Sequence, residues 1–494
     1  MRTNYVRKWL LAAGLLIAAL NVQASQESGA CGENVFWTFD FDSGILHVYG
    51  EGEMGSLPPF YYWDKIKTII VDEGIISLAD YAFQGLGFVE TVKLPSTLKS
   101  ISDGAFRWCA SLASVKIPDG VKSIGNNAFV ECPMTSIDLP AGLESIGDQA
   151  FMYTKLMSLV LPPVHLGQSA FSCCYDLKTV VMTEGRTVIE DGAFSGCNNL
   201  SSVILPSTLK EIEGSAFSST ALQEVIVPEG VTKIGQWAFS HSALSWVQLP
   251  STLETIEDYA FHHCEQLRTI RCYAVTPPEA QGYYPFGVAP GYITLEVLAS
   301  VVDDYKTANY YNSFGVIKPI YAEANISSIG YTTFYWPFED LEIPTGLQAF
   351  IGNVSGQWLI LTEIENKIPA GTPVILKGKE GTYVFNSTTG AEAVGQNDLR
   401  GTDNRLDADG IQYVLAEKDG VVGFYKATGT IPTGKAYIEY AGAAVKGFFF
   451  GGADGIANVE DADESHAVIY DLGGRRVEKA QKGVYIINGK KVMK

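Results

Sequence analysis

The chain has 494 residues, 47% of them hydrophobic, with 50 glycines, 12% aromatics and a formal charge of −20. That length exceeds one compact core, and the apolar content excludes a disordered chain, so two or three ordered, β-rich units are expected. An acidic surface repels phosphate backbones, which argues against nucleic acid as the partner.

Residues 1–24 read as a secretory leader. Arg2, Arg7 and Lys8 form a basic start, Leu10 to Leu20 is an apolar run, and Val22-Gln23-Ala24 is a small-x-small cleavage site. The run is shorter than the roughly 20 residues a membrane span needs, and no other stretch approaches that length. Removing the leader takes the charge to about −23. Gly29-Ala30-Cys31 imitates a lipidation site, but Cys31 lies ten residues beyond the apolar run and Glu27 intervenes. Residues 25–65 read as two short strands with a glycine turn and are assigned as an amino-terminal cap, because an open solenoid end exposes apolar core and unpaired backbone.

From Ile66 a repeat dominates. Ala-Phe recurs with the phenylalanine at positions 83, 106, 129, 151, 171, 194, 217, 239 and 261. The steps are 23, 23, 22, 20, 23, 23, 22 and 22 residues, a stacked-repeat period. In the unit Ile189 to Leu209, the piece Ser202 to Leu205 alternates and is β-branched, so a short strand with Val203 and Leu205 inward is expected, ended by Pro206. Leu209 and Ile212 turn back to the core. The expected fold is a parallel-sheet solenoid of about ten coils over residues 66–320, with an atypical carboxy-terminal cap after Thr276-Pro277-Pro278.

The pattern Ile-Gly-x-x-Ala-Phe-x-x-Cys-x-x-Leu-x-x-Val-x-Leu-Pro, seen almost whole at Ile124 to Pro140 and Ile189 to Pro206, resembles the BspA-like class of bacterial leucine-rich repeats. Cys31-Gly32-Glu33-Asn34, Trp37-Thr38 and Gly50-Glu51-Gly52-Glu53-Met54 resemble the segment that often precedes such repeats. The resemblance implies a secreted or surface-exposed, non-enzymatic binding protein of host-associated bacteria, some members being adhesins for host matrix proteins.

Residues 321–458 lose the period. Ile343-Pro344-Thr345-Gly346, Ile368-Pro369-Ala370-Gly371 and Ile431-Pro432-Thr433-Gly434 each precede an apolar run, which predicts turn-and-strand units of an all-β sandwich or barrel. Residues 459–467 form an acidic linker. Residues 468–494 read as strand, turn, strand and resemble the end of type IX sorting domains, at about 27 residues shorter than a full one. A hairpin that finishes the β domain is the alternative.

Candidate chemistry is sparse. Cys109, Cys132, Cys174, Cys197 and Cys264 each fall three residues after a repeat phenylalanine, where other coils carry Leu86, Thr154, Thr220 or Ser242. Pairs such as Cys109 with Cys132, or Cys174 with Cys197, lie within disulfide reach, but parallel Cβ vectors and this substitution list favour buried thiols. His262-His263-Cys264 is the one dense cluster of metal-ligand types, and adjacent residues on an extended turn point apart. Asp407-Ala408-Asp409-Gly410 lacks the remaining positions of a calcium loop. No hydrolase, phosphate-loop or zinc-protease motif occurs, so no enzyme, cofactor or metal is expected.

The sharper feature is on the strands. Outward positions in successive coils are Ile70, Lys93, Lys116, Asp138, Val160, Val181, Ile204, Ile226, Gln248 and Arg271, with Trp246 nearby. The four apolar positions from Val160 to Ile226 form a stripe framed by polar ones, the composition of a protein-binding surface, expected on the concave sheet. The plainer account is that β-branched residues in a parallel ladder stabilise the sheet. The expected binder is a monomer that engages a host extracellular-matrix or surface protein, or a glycan, through Val160, Val181, Ile204, Ile226, Trp246, Gln248 and Arg271. An alternative makes the β domain a carbohydrate-binding module, with Tyr335, Trp336 and Trp358 stacking on sugars and the repeats as spacer.

Overall fold

The computed structural model describes residues 26–451, apart from residues 60, 283, 288, 289, 357, 403–405, 419, 420, 443, 444 and 446, and short strands between 457 and 493. The leader and the acidic linker lie outside the described residues. The described chain divides into two compact units: residues up to 271 with 277–295 and 308–316, and residues 272–276, 296–307 and 317 onward.

The first unit opens with three strands rather than two. Gln26–Ala30, Val35–Asp40 and Ile45–Gly50 pair antiparallel, and the third then pairs parallel with Thr68–Val71. The hairpin thus converts an antiparallel edge into the first rung of a parallel stack. Gly29 is required here, since a Cβ would come within 2.9 Å of the Trp37 indole nitrogen. The solenoid winds through about twelve turns, more than the ten or so counted from Ala-Phe. One reason is that Ile45–Gly50 and Gly52–Glu53 form a coil that lacks that dipeptide.

Each coil contributes to three stacked faces. The first is the expected ladder, but it is interrupted. Thr68–Val71 pairs with Thr91–Lys93; Ser158–Leu161 pairs with Thr179–Met182 and that with Ser202–Ile204; Glu224–Ile226 pairs with Trp246–Leu249. Residues 113–118 and 136–138 lose regular strand geometry, so Lys116 and Asp138 are exposed but do not sit on a sheet. Val203 and Leu205 are only half-buried, unlike Val180 and Met182 one coil earlier, because the ladder stops at this coil. The second face consists of two-residue strands such as Ser123–Ile124, Ser145–Ile146, Glu211–Ile212 and Lys233–Ile234, whose isoleucines are at most 1% exposed. Pieces this short show no alternation, so this second sheet leaves no periodic mark in the sequence.

The third face is the Ala-Phe turn. All nine phenylalanines are buried, and successive rings stack with centroids 5.2–5.7 Å apart. The first eight phenylalanine N–H groups donate to the alanine carbonyl of the next coil, as in Phe106 to Ala128 at 2.8 Å and Phe194 to Ala216 at 2.9 Å, and Phe261 donates to the Pro285 carbonyl. The N–H groups two residues before and after it do the same, as Tyr81 to Asp103 and Trp108 to Val130 show. To aim these donors along the stack, the residues two before and two after each phenylalanine take positive φ. They include Tyr81, Asn127, Gln149, Trp237 and Tyr259 on one side, and Trp108, Glu131, Tyr153, His241 and His263 on the other. Only four of these positions are glycine: Gly85, Gly104, Gly192 and Gly196. A side chain there is strained, so Gln149→Gly, at an exposed position with φ 56, is expected to stabilise the chain by about 1 kcal/mol, read as a raised urea midpoint.

The five slot cysteines are free thiols, and each aims its sulfur at the phenylalanine carbonyl one coil back, at 3.0–3.3 Å. Thr154 and Thr220 use a hydroxyl for the phenylalanine carbonyl of their own coil, at 2.9 and 3.0 Å. A side chain that can reach a phenylalanine carbonyl, its own coil's or the previous one's, thus fits this slot as either cysteine or threonine. Between some coils a second device repeats three times. Glu73, Glu184 and Glu229 accept from the backbone N–H and hydroxyl of Ser96, Ser207 and Ser251 in the next coil. The hydroxyls of Thr97, Thr208 and Thr252 meanwhile accept from Gly74, Gly185 and Gly230. Glu-Gly in one coil and Pro-Ser-Thr in the next therefore form one lock.

The second unit is β-rich and nearly closed, with a nine-stranded sheet and a four-stranded one. Each of the three Pro-x-Gly turns places its glycine at positive φ, at Gly346, Gly371 and Gly434, and a strand follows at Gln348–Ser355, Val374–Lys377 and Ala436–Glu439. One core gathers Phe334, Leu341, Ala349, Leu376 and Phe385; another gathers Leu359, Tyr413, Phe424 and Phe448. Near the carboxy terminus, Ile469–Asp471 pairs antiparallel with Val484–Ile487, which pairs with Lys490–Met493.

Candidate functional site

On the first ladder, hydrogen-bond register decides which side chains share the outer face. Val160, Val181 and Ile204 are direct cross-strand partners. In the next ladder segment Ile226 faces Gln248, and Glu224 faces Trp246. Alternation sends Leu159, Leu161, Val180, Met182, Val225 and Val227 into the core, so the residues between them point away from it. Val160 is 62% exposed, Ile204 57% and Ile226 51%. Val181, Trp246, Gln248 and Arg271 are half-buried.

The apolar row runs beside a polar one. Ser158, Thr179 and Ser202 pair in register one step earlier on the same strands, and all three are exposed. Within each of these three strands, therefore, the apolar outward residue is two positions from a hydroxyl. The row also continues from Ile204 to Ile226 across the point where the backbone ladder is broken. A β-branched ladder stabilises a sheet through paired neighbours, and these two residues are not paired, so sheet stability does not account for both.

The other candidates resolve differently. His262, His263 and Cys264 diverge: His263 is exposed and stacks on His241 at 4.6 Å, His262 packs edge-on to Tyr259 and Trp237, and the Cys264 thiol donates to Phe239. Burial pushes the Cys264 thiol up to about 11 and holds His262 below the ordinary histidine value. Among the described residues no three metal-ligating side chains converge. Asp407 accepts from Thr430, and Asp409 accepts from the Ile411 N–H, as turn residues do.

The aromatic residues read as a sugar platform are partly covered. Tyr335, Trp336 and Trp358 are all half-buried. Trp336 packs edge-on to Phe338 and Tyr273, at 5.0 and 5.9 Å between centroids. Tyr335 lies so close to Gly401 that a Cβ there would meet its ring at 2.1 Å. An aromatic residue near a turn is exposed in sequence terms but is recruited to a core wherever a neighbouring glycine admits it. What the sequence reading passed over is the turn face of the array, where a recess lies beside His241 and His263. Its signal was available in the spacing between each repeat phenylalanine and the next core leucine.

Comparisons with known proteins bear on the array. A leucine-rich repeat protein from Bacteroides ovatus is 24% identical over 58% of this chain and 78% of its own, at a TM-score of 0.39. A leucine-rich repeat protein of T. pallidum is 26% identical over 37% of this chain and 85% of its own, at 0.30. A leucine-rich cell surface protein of Faecalibacterium prausnitzii is 18% identical over 52% and 95%, at 0.25. No curated protein matches. Among the described residues no helix is long and apolar enough to cross a membrane. Residues 59–165 and 164–276 match the BspA type leucine rich repeat region, in six copies. Those residues, which carry all nine Ala-Phe turns and the whole of the outward row from Ile70 to Arg271, form a BspA-type leucine-rich-repeat region.

Proposed function

We propose that the chain is an exported binding protein that engages a protein ligand, of a host matrix or cell surface, through the outer face of the first ladder. The observation that supports this is the row Val160, Val181, Ile204 and Ile226, apolar and largely exposed, beside a row of hydroxyls and flanked by polar Gln248 and Arg271. Apolar groups left in water beside hydrogen-bonding ones are the make-up of an interface core with its rim. The basic, apolar and small-residue order of residues 1–24 supports export. Trp246, half-buried beside Glu224, serves as the aromatic anchor at the row's carboxy-terminal end.

The test is capture of the full chain on immobilised extracellular-matrix proteins. Ile204→Asp combined with Ile226→Asp is expected to weaken capture by about a hundredfold or more. The thermal melt should stay in place, since both side chains already face water. Unchanged capture by the double variant would sink the assignment of this face.

A further inference from the structure

We propose that a notch on the turn face, between Asn198 and Glu265, binds a neutral sugar residue of a glycan, at a site separate from the strand face. The notch arises from coil length. From the repeat phenylalanine to the next core leucine the chain takes six residues in Phe194–Leu200 and Phe261–Leu267, but five in Phe217–Leu222 and Phe239–Leu244. Two short turns side by side between two long ones leave a recess of about 420 Å³. Its floor is Ala221 and Ala243, each four residues after the phenylalanine. The same double shortening occurs at Phe129–Met134 and Phe151–Leu156, but the floor positions there are Pro133 and Lys155.

The walls carry the recognition chemistry. His241 and His263 stand at the left-handed positions of their coils with rings stacked at 4.6 Å and 22°, forming one continuous imidazole wall. The preceding coil has Ser219 at that position, so the outer face of His241 is not covered by a third ring. Asn198 closes one end; Glu265 and Gln266 close the other, with Glu265 3.4 Å from His263 Nδ1. A pyranose offers an apolar C–H face and a rim of hydroxyls. Alanine methyls and a ring face suit the first, and amides with a carboxylate suit the second. The carboxylate at the mouth and the chain's net charge of −20 disfavour an acidic sugar. The recess is near the lower end of small-ligand sites, roughly 300–1,000 Å³, so single sugars bind weakly and a polymeric glycan gains by multivalency.

The experiment uses the full chain on an array of neutral and acidic oligosaccharides, followed by saturation-transfer NMR with millimolar methyl glycosides of glucose, galactose, mannose and N-acetylglucosamine. At least one neutral sugar is expected to bind. Ala243→Lys, which copies the side chain the other shortened pair carries, is expected to weaken it by about tenfold or more, and Asn198→Ala severalfold. The Ile204→Asp and Ile226→Asp variant should bind the sugar as the parent does, which separates this site from the strand face. Binding of acidic glycans alone, no binding at millimolar sugar, or full binding by a folded Ala243→Lys chain overturns the proposal. If Ala243→Lys does not fold, Asn198→Ala and Gln266→Ala decide it in the same way.

Discussion

Phe194→Ala is expected to lower the stability of the repeat array by about 3–5 kcal/mol, the range for emptying a buried aromatic site. The ring is 0% exposed and stacks on Phe171 and Phe217, both at 5.7 Å, so its removal strips contacts from three coils at once. The void cannot be filled from above or below, because the neighbouring phenylalanine backbones are pinned by their own inter-coil hydrogen bonds. A solenoid is held together by nearest-neighbour interfaces, so a weak coil in the middle should divide it. Urea unfolding followed by hydrogen exchange is expected to show coils on either side of residue 194 exchanging at different midpoints, where the parent exchanges together. Phe194→Leu, which keeps most of the volume, should cost only about 1.5 kcal/mol. A single shared midpoint in the alanine variant would mean that the coils are coupled more widely than through adjacent interfaces.

The second large effect is expected at Arg186, which repairs the shortest coil. The step from Phe151 to Phe171 is 20 residues, against 22 or 23 elsewhere. The shortening leaves the carbonyls of Pro162 and Val164 facing inward, and the Arg186 guanidinium of the next coil donates to both, at 3.3 and 2.7 Å. Its other nitrogen meets Glu190 at 3.0 Å, with side chains 3% and 16% exposed. Arg186→Ala strands a buried carboxylate and two carbonyls together, for a loss of about 3–5 kcal/mol. Burial already holds Glu190 above its ordinary value and Arg186 below its own. Without the arginine, the folded state holds a proton on Glu190 that the unfolded chain releases above about pH 4.3. Stability of the variant should therefore rise as pH falls from neutrality toward that value. Glu190→Gln in the same background is expected to recover part of the loss at pH 7 and to remove the pH dependence. Urea titrations at pH 5 and pH 7 check both statements.

The array was legible because its signal is redundant. Within the array Ala-Phe occurs nine times, and each of these places a buried ring and a small neighbour at the same point of a coil. The outward positions Val160, Val181 and Ile204 followed from alternation alone, and register pairs them. What escaped were features carried by one or two residues at a time. Strands such as Lys233–Ile234 are too short to show a period, and the loss of sheet around Lys116 and Asp138 left the local pattern intact. Arg186 reads as one more charged residue until the short step of the coil before it is noticed. Trp336 reads as an exposed ring because its partners, Tyr273 and Phe338, are set by packing that no spacing encodes.

The two left-handed positions in each coil have a wider meaning. Their backbone is fixed by hydrogen bonds to the following coil, and Tyr, Trp, Asn, Gln, Glu, Ser, Cys, His and Gly all occupy them. The main chain thus sets the posture of these sites and leaves the side chain unspecified. The turn face behaves as a rack with two pegs per coil, at the same pitch as the phenylalanines beneath it. A substitution on a peg changes what is displayed without disturbing the rungs, so new surface chemistry can be tried at one coil while the rest of the stack keeps its shape.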